Sequence, residues 1–153
     1  MMLAPAIIRV LERRQQKFRF DIAQLARAIA TSQASLAAVD ETIAALDRRA
    51  RENASSRYSN GSRSVAELLE LEQNSQSLRA GRTQLEEMRE RSRQTLDRLM
   101  DQQRTLIANW RKEAARLAHV SSLARRERIL ADVRQFDADD AAFTERYAMG
   151  DRS

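Results

Sequence analysis

Residues 8–50, IRVLERRQQKFRFDIAQLARAIATSQASLAAVDETIAALDRRA, carry a seven-residue repeat that decides the fold. Ile8, Ile22, Ile29, Leu36, Ile43 and Ala50 recur every seven residues, with Gln15 in the one gap. Three residues on, Leu11, Phe18, Leu25, Val39 and Leu46 form a second column, interrupted by Ser32. Apolar residues spaced three then four apart place a narrow stripe on one side of a helix, and a stripe kept over six heptads is a coiled-coil seam. The expected fold is therefore all-α, and the function must be one that a helical rod can perform.

A second set of heptads follows. Leu71, Leu78, Leu85, Leu99, Leu106 and Val120 form one column, and Leu68, Leu96, Trp110, Leu117 and Ala124 the other. Its middle is poorer, with Ser75, Arg82, Arg89, Ser92 and Gln103 on seam positions. Long arginine stems can cover apolar surface while their charges reach water. Gly81 also lies there, and a glycine inside a helix costs roughly 1 kcal/mol relative to alanine.

Between the two sets lies SSRYSNGSRS, residues 55–64, the one stretch dominated by small polar side chains. Asn60-Gly61 can turn the chain at little steric cost. Ser64 and Glu67, three apart, read as a capping box opening a new helix. Pro5 suits a first helical turn, where a missing N–H costs nothing. The reading is one domain over 1–153: an antiparallel two-helix coiled-coil hairpin with helix 1 at about 5–54, a turn at 55–64, a longer helix 2 at about 65–128, and a C-terminal helical overhang at 129–149. Folding about residue 59 pairs Ile8 with Trp110 and Leu46 with Leu71, and leaves helix 2 about thirty residues longer than its partner, by the spacing of the heptads.

The overhang carries a different stripe, Ile129, Val133, Phe136, Phe143 and Tyr147, offset by two residues from the preceding seam. Apolar surface left in water is the usual mark of an interaction site. Charge is uneven as well. Residues 48–63 hold five arginines against Glu52, whereas residues 132–153 hold six acids against three arginines. The tip is basic, the tail is acidic, and the two are expected to meet different partners.

Composition agrees with long helices. In 153 residues there are three Gly and one Pro, with 32% charged and 5% aromatic side chains. The net charge is +5, carried almost wholly by arginine, because Lys17 and Lys112 are the only lysines. Arginines interleaved with acids make a solvated, salt-bridge-laced surface. With no Cys there is no disulfide framework, thiolate metal site or cysteine nucleophile, which fits a reducing cytosol. The opening MMLAPAIIRVLERR has too short an apolar run for a signal peptide or a membrane span. His119 is a lone histidine, no Gly-rich phosphate loop follows a strand, and a two-helix rod offers no cleft to shift carboxylate pKa values. No catalytic residue, cofactor, metal ligand or small-molecule substrate is expected. Nucleic-acid recognition lacks an aromatic platform, a zinc motif and a recognition-helix unit.

The arginine-rich start (Arg9 to Arg19), the long Ala/Leu/Gln-rich first helix, the arginine-rich turn (Arg48 to Arg63) and the longer second helix resemble the FliJ/YscO family, as does LARRERIL at Leu123–Leu130. The resemblance spans nearly the whole chain. Members are antiparallel two-helix stalks of flagellar and type III secretion export ATPases. The resemblance implies that the end bearing the chain termini enters a secretion ATPase hexamer, with Arg9, Arg13, Arg14, Trp110, Arg116, Arg125 and Arg126 as contact candidates. It implies that the tip, with Arg49, Arg57, Tyr58 and Arg63, faces an export gate protein and export chaperones. It further implies a cytoplasmic location at the inner-membrane export apparatus, with membrane contact through partners alone. The competing expectations are a homo-oligomeric coiled-coil scaffold or chaperone-like protein, whose seams would pair between molecules, and a basic nucleic-acid-associated helical protein, whose binding would fall steeply with salt.

Overall fold

A computed structural model describes residues 3–58 and 63–150. The described chain is all-α. Helix α1 spans Leu3–Tyr58 and helix α2 spans Val65–Gly150. The second is the longer, 86 residues against 56. Pro5 sits in the first turn of α1, where its sequence reading placed it. The capping box forms as its spacing predicts: the Glu67 backbone N–H donates to Ser64 Oγ at 3.2 Å, and the Ser64 N–H donates to Glu67 Oε2 at 3.3 Å. The Asn60-Gly61 turn lies outside the described residues.

Two boundaries differ from the sequence reading. Helix α1 does not stop near Ala54 but continues through Ser55, Ser56 and Arg57 to Tyr58. Contacts with α2 hold these turns: Asn53 Nδ2 donates to the Leu71 carbonyl at 3.1 Å and to Ser75 Oγ at 2.8 Å, and Arg57 pairs with Glu72. Helix α2 does not end near 128 to be followed by a separate tail; it is continuous through the stretch 129–149 to Gly150. No Pro or Gly interrupts residues 82–149, so nothing breaks the backbone ladder there.

The chain divides into two compact units, and both helices contribute to each. Residues 22–105 form one; the chain up to Asp21 with the chain from Leu106 onward forms the other. In the 22–105 unit, Ile29 and Ile43 are buried at 8% and 5% exposure. Ile22, Leu25, Ser32, Leu36, Val39 and Leu46 are half-buried, and only Ala50 leaves the seam for solvent. From α2, Leu71, Leu78, Leu85, Leu96 and Leu99 are half-buried against them. Arg89 is half-buried and pairs with Asp40 at 3.7 Å, while Arg82 lies exposed and pairs with Asp47 at 2.8 Å and Glu86 at 3.3 Å. Exposed pairs of this kind are worth about 0–1 kcal/mol each, so the apolar columns carry the stability. A seam covered by one partner helix cannot bury a broad core, and α2 has no buried residue.

The register corrects the pairing expected from a turn about residue 59. Leu46 lies beside Gly81, not Leu71: its Cδ1 is 3.7 Å from where a Gly81 Cβ would stand. In the other unit, Trp110 meets Gln15 rather than Ile8. Two local features account for the shift. Helix α1 runs a turn further than its composition suggested, and the first turn of α2 is uncovered, with Val65, Leu68 and Leu69 at 74%, 44% and 59% exposure. Each moves the point about which the chain folds.

Gly81 faces ordinary van der Waals space and not a close approach. Gly81→Ala is therefore expected to stabilise the protein by roughly 0.5–1 kcal/mol, by removing the entropic cost of glycine within a helix. A rise in thermal midpoint checks this; a fall would mean that the Leu46 contact does not tolerate a methyl group.

Candidate partner-binding surfaces

The unit containing the start of α1 holds all seven residues expected to face an ATPase. Leu11 and Gln15 are its buried side chains, each at 7% exposure. They lie one helical turn apart, so the repeat sets a polar layer directly beside an apolar one. Gln15 Nε2 donates to the Trp110 carbonyl at 3.3 Å. Trp110 is half-buried, and its indole Nε1–H is shut off from solvent without an acceptor. Beside it, Glu113 has a side chain only 12% exposed. Glu113 Oε1 accepts a hydrogen bond from Arg116 Nη1 at 2.8 Å, while Oε2 is 4.0 Å from Arg14 Nη1. That second contact is an attraction between charges at the outer limit of an ion pair. It is too long for a hydrogen bond, so Oε2 has no hydrogen-bond donor.

Two grooves lie in this unit. One, of about 410 Å³, is lined by Gln15, Gln16, Arg19, Trp110 and Leu117. The other, of about 360 Å³, lies where α1 begins, between Pro5, Ile8 and Arg9 on α1 and Ala124, Arg128 and Ala131 on α2. Arg9, Arg13 and Arg14 are exposed on α1; Arg116, Arg125 and Arg126 are exposed on α2. The structure therefore brings Arg14 and Arg116 together at Glu113, sets Trp110 against Gln15, and sets Arg9 in the groove at the start of α1. Arg13, Arg125 and Arg126 stand apart from that cluster, and each extends into solvent.

The tip is less simply basic than its sequence. Arg49 is exposed and lines an open groove with Glu52, Asn53 and Asn74. Arg57 is held by Glu72, so much of its charge is answered within the fold. Arg63 is half-buried. The side chain of Tyr58 lies outside the described residues.

Every residue from Arg125 to Gly150 is exposed. Ile129, Val133, Phe136, Phe143 and Tyr147 keep 57%, 51%, 72%, 65% and 74% of their surface in water. The Phe143 and Tyr147 rings stack with centroids 6.3 Å apart and planes 27° apart.

Two polar seam residues escaped the sequence reading. Glu113 lies midway between Leu106 and Val120 on a heptad column, and Asn53 lies seven residues after Leu46. Continuing both columns through polar residues would have found them, because a polar side chain on a seam position is a register device before it is a break.

Among the described residues, no group of three or more His, Cys, Asp or Glu could hold a metal ion, and no helix is long and apolar enough to cross a membrane. No protein family, curated protein or solved structure matches the chain.

Proposed function

We propose that this protein is a non-enzymatic stalk of a bacterial type III protein secretion system. Its open end engages the export ATPase hexamer and promotes ATPase assembly and activity. The tip around Arg49 and Arg63 contacts the export gate and export chaperones. The observation that supports this reading best is the set of exposed arginines on both helices where α1 begins: Arg9, Arg13 and Arg14 on α1, Arg116, Arg125 and Arg126 on α2. A partner whose surface must be met repeatedly and released suits such a set, because exposed ion pairs contribute only about 0–1 kcal/mol each. LARRERIL, which carries the resemblance to stalk proteins, supplies Ala124 and Arg128 to the groove at the start of α1.

The test is ATP hydrolysis by the cognate export ATPase with and without the purified protein, alongside the oligomeric state of the ATPase. Stimulation by several-fold with hexamer formation is the expected result, and reversing charge at Arg9 and Arg13 together is expected to remove most of it. No effect from a folded, helical preparation would overturn the stalk reading in favour of a scaffold.

A further inference from the structure

At about 100° per residue, Ile129, Val133, Phe136, Phe143 and Tyr147 fall within an arc of about 80° over some 27 Å of helix. Asp140 lies on that arc, and Asp132, Asp137 and Asp139 lie within about 40° of its edges, on both sides. Residues 132–150 hold five acids (those four with Glu145) and two arginines, a net −3 in a chain of net +5. Asp139 accepts a hydrogen bond from Gln135, and among the described residues no cation is paired with any of the four aspartates. The face is thus mainly apolar along its middle, where Asp140 interrupts it, acidic along both margins, and uncovered.

We infer that this face is a docking site for a basic amphipathic helix of a partner protein, one whose apolar stripe is flanked by Lys or Arg. The charge pattern selects that occupant. A second copy would have to pair tail with tail. Antiparallel pairing centred on Ala138 sets Asp137 of each copy against Asp139 of the other and buries Asp140 opposite Phe136, and parallel pairing sets every acid against itself; like charges brought together across an interface oppose association. An anionic bilayer meets the same repulsion, since interfacial helices that bind such surfaces carry Lys and Arg on their polar face. A helix laid into a groove or along a stripe is read by apolar anchors at i, i+4 and i+7, and Ile129, Val133 and Phe136 have that spacing, as do Phe136 and Phe143 at i and i+7. Phe136, Phe143 and Tyr147 are the large exposed aromatic side chains that typically anchor such an interface.

The test uses the full chain and two labelled synthetic peptides. One is an eighteen-residue helix with a leucine stripe flanked by lysines; the other is identical with glutamates replacing the lysines. Fluorescence anisotropy is expected to show the lysine peptide binding at least about tenfold more tightly. Phe136→Ser with Phe143→Ser is expected to weaken it about tenfold while leaving helicity and the thermal midpoint unchanged, because both rings are exposed. Asp137→Lys with Asp139→Lys and Asp140→Lys is expected to remove or reverse the preference. Equal binding of both peptides, or of neither, would overturn the inference. So would concentration-dependent dimerisation abolished by the double serine variant, which would identify a second copy, or partition of the wild-type chain onto anionic vesicles. The peptide readout needs no ATPase, so the stalk reading can fail while the acidic stripe still selects its partner.

Discussion

Ile43→Asn is expected to lower the stability of the protein by about 3–5 kcal/mol. At 5% exposure, Ile43 is the most buried apolar side chain among the described residues. Removing buried aliphatic bulk of this size costs about 2–5 kcal/mol, and leaving a carboxamide without a partner in the same place costs about 1–3 more. The two penalties overlap, because a polar group next to a thin seam regains some hydration. Asn53 shows what the substituted amide would lack. Its Nδ2 has both the Leu71 carbonyl and Ser75 Oγ within reach, a pairing that makes a seam asparagine tolerable. Native proteins are stable by only about 5–15 kcal/mol, so the loss would remove a large part of the total and lower the thermal midpoint by about 10 °C or more. Circular dichroism during heating measures it. Phe136→Asn is the internal comparison. A side chain 72% exposed has little burial to lose, and a change within about 0.5 kcal/mol is expected. Equal effects at the two sites would mean that the Ile8-to-Ala50 column is not the core.

The contrast between Ile43 and Phe136 also separates what was legible in the sequence from what was not. A heptad column is local information: each of its members states which face of its own helix is covered. Hence the columns through Ile29, Ile43 and Leu11 are legible in the sequence alone, and so is the capping box at Ser64 and Glu67. Register is not local. A hairpin can slide and still set apolar against apolar, and the column through Leu46 does not itself choose between Leu71 and the stretch around Gly81. The choice falls to polar contacts that periodicity does not encode: Asn53 with Ser75, Asp47 with Arg82 and Arg57 with Glu72 in one unit, Gln15 with the Trp110 carbonyl in the other. The tail was legible as a helical overhang with a stripe of its own, though it was set apart from helix 2 at residue 128. The offset of two residues needs no break, because a helix without Gly or Pro can present a new face along its length. Of the candidate ATPase-facing residues, sequence position could group them at one end. It could not show that Arg14 and Arg116, though exposed, lie against Glu113, because the seam position of that carboxylate hides it among acids that face water.

That carboxylate carries the second large expectation. Gln15→Leu combined with Glu113→Leu is expected to raise stability by about 1–4 kcal/mol, the range found when buried ionic groups are replaced by apolar side chains of similar size. Gln15 is 93% buried in exchange for one long hydrogen bond of 3.3 Å, and Glu113 is nearly as buried with one oxygen unsatisfied. Little is stranded by the replacement. The Trp110 carbonyl lies inside a continuous helix, and Arg116 and Arg14 have side chains 67% and 59% exposed that can return to water. Urea unfolding measures the gain. A loss of stability would mean that the layer is satisfied by groups beyond Arg14 and Arg116. The gain should come with a less definite register, since Gln15 makes one of the polar contacts that choose it and an apolar layer in its place pairs equally well one heptad away. Cysteines placed at Leu46 and Gly81 would report it. In the wild-type background a short thiol crosslinker should join them within one molecule, and in the double-leucine background slipped pairs, with Cys at Leu46 and at Asn74 or Met88, one heptad to either side of Gly81, should begin to form as well. Stability and register are thus set by different residues, and the polar layer at Gln15 and Glu113 gives up the first to secure the second. The same layer holds Arg14 and Arg116 against one carboxylate, so its removal should leave both guanidiniums free at the end proposed to meet the ATPase, where a change in stimulation would separate the arginines that act there from those that only solvate the helix.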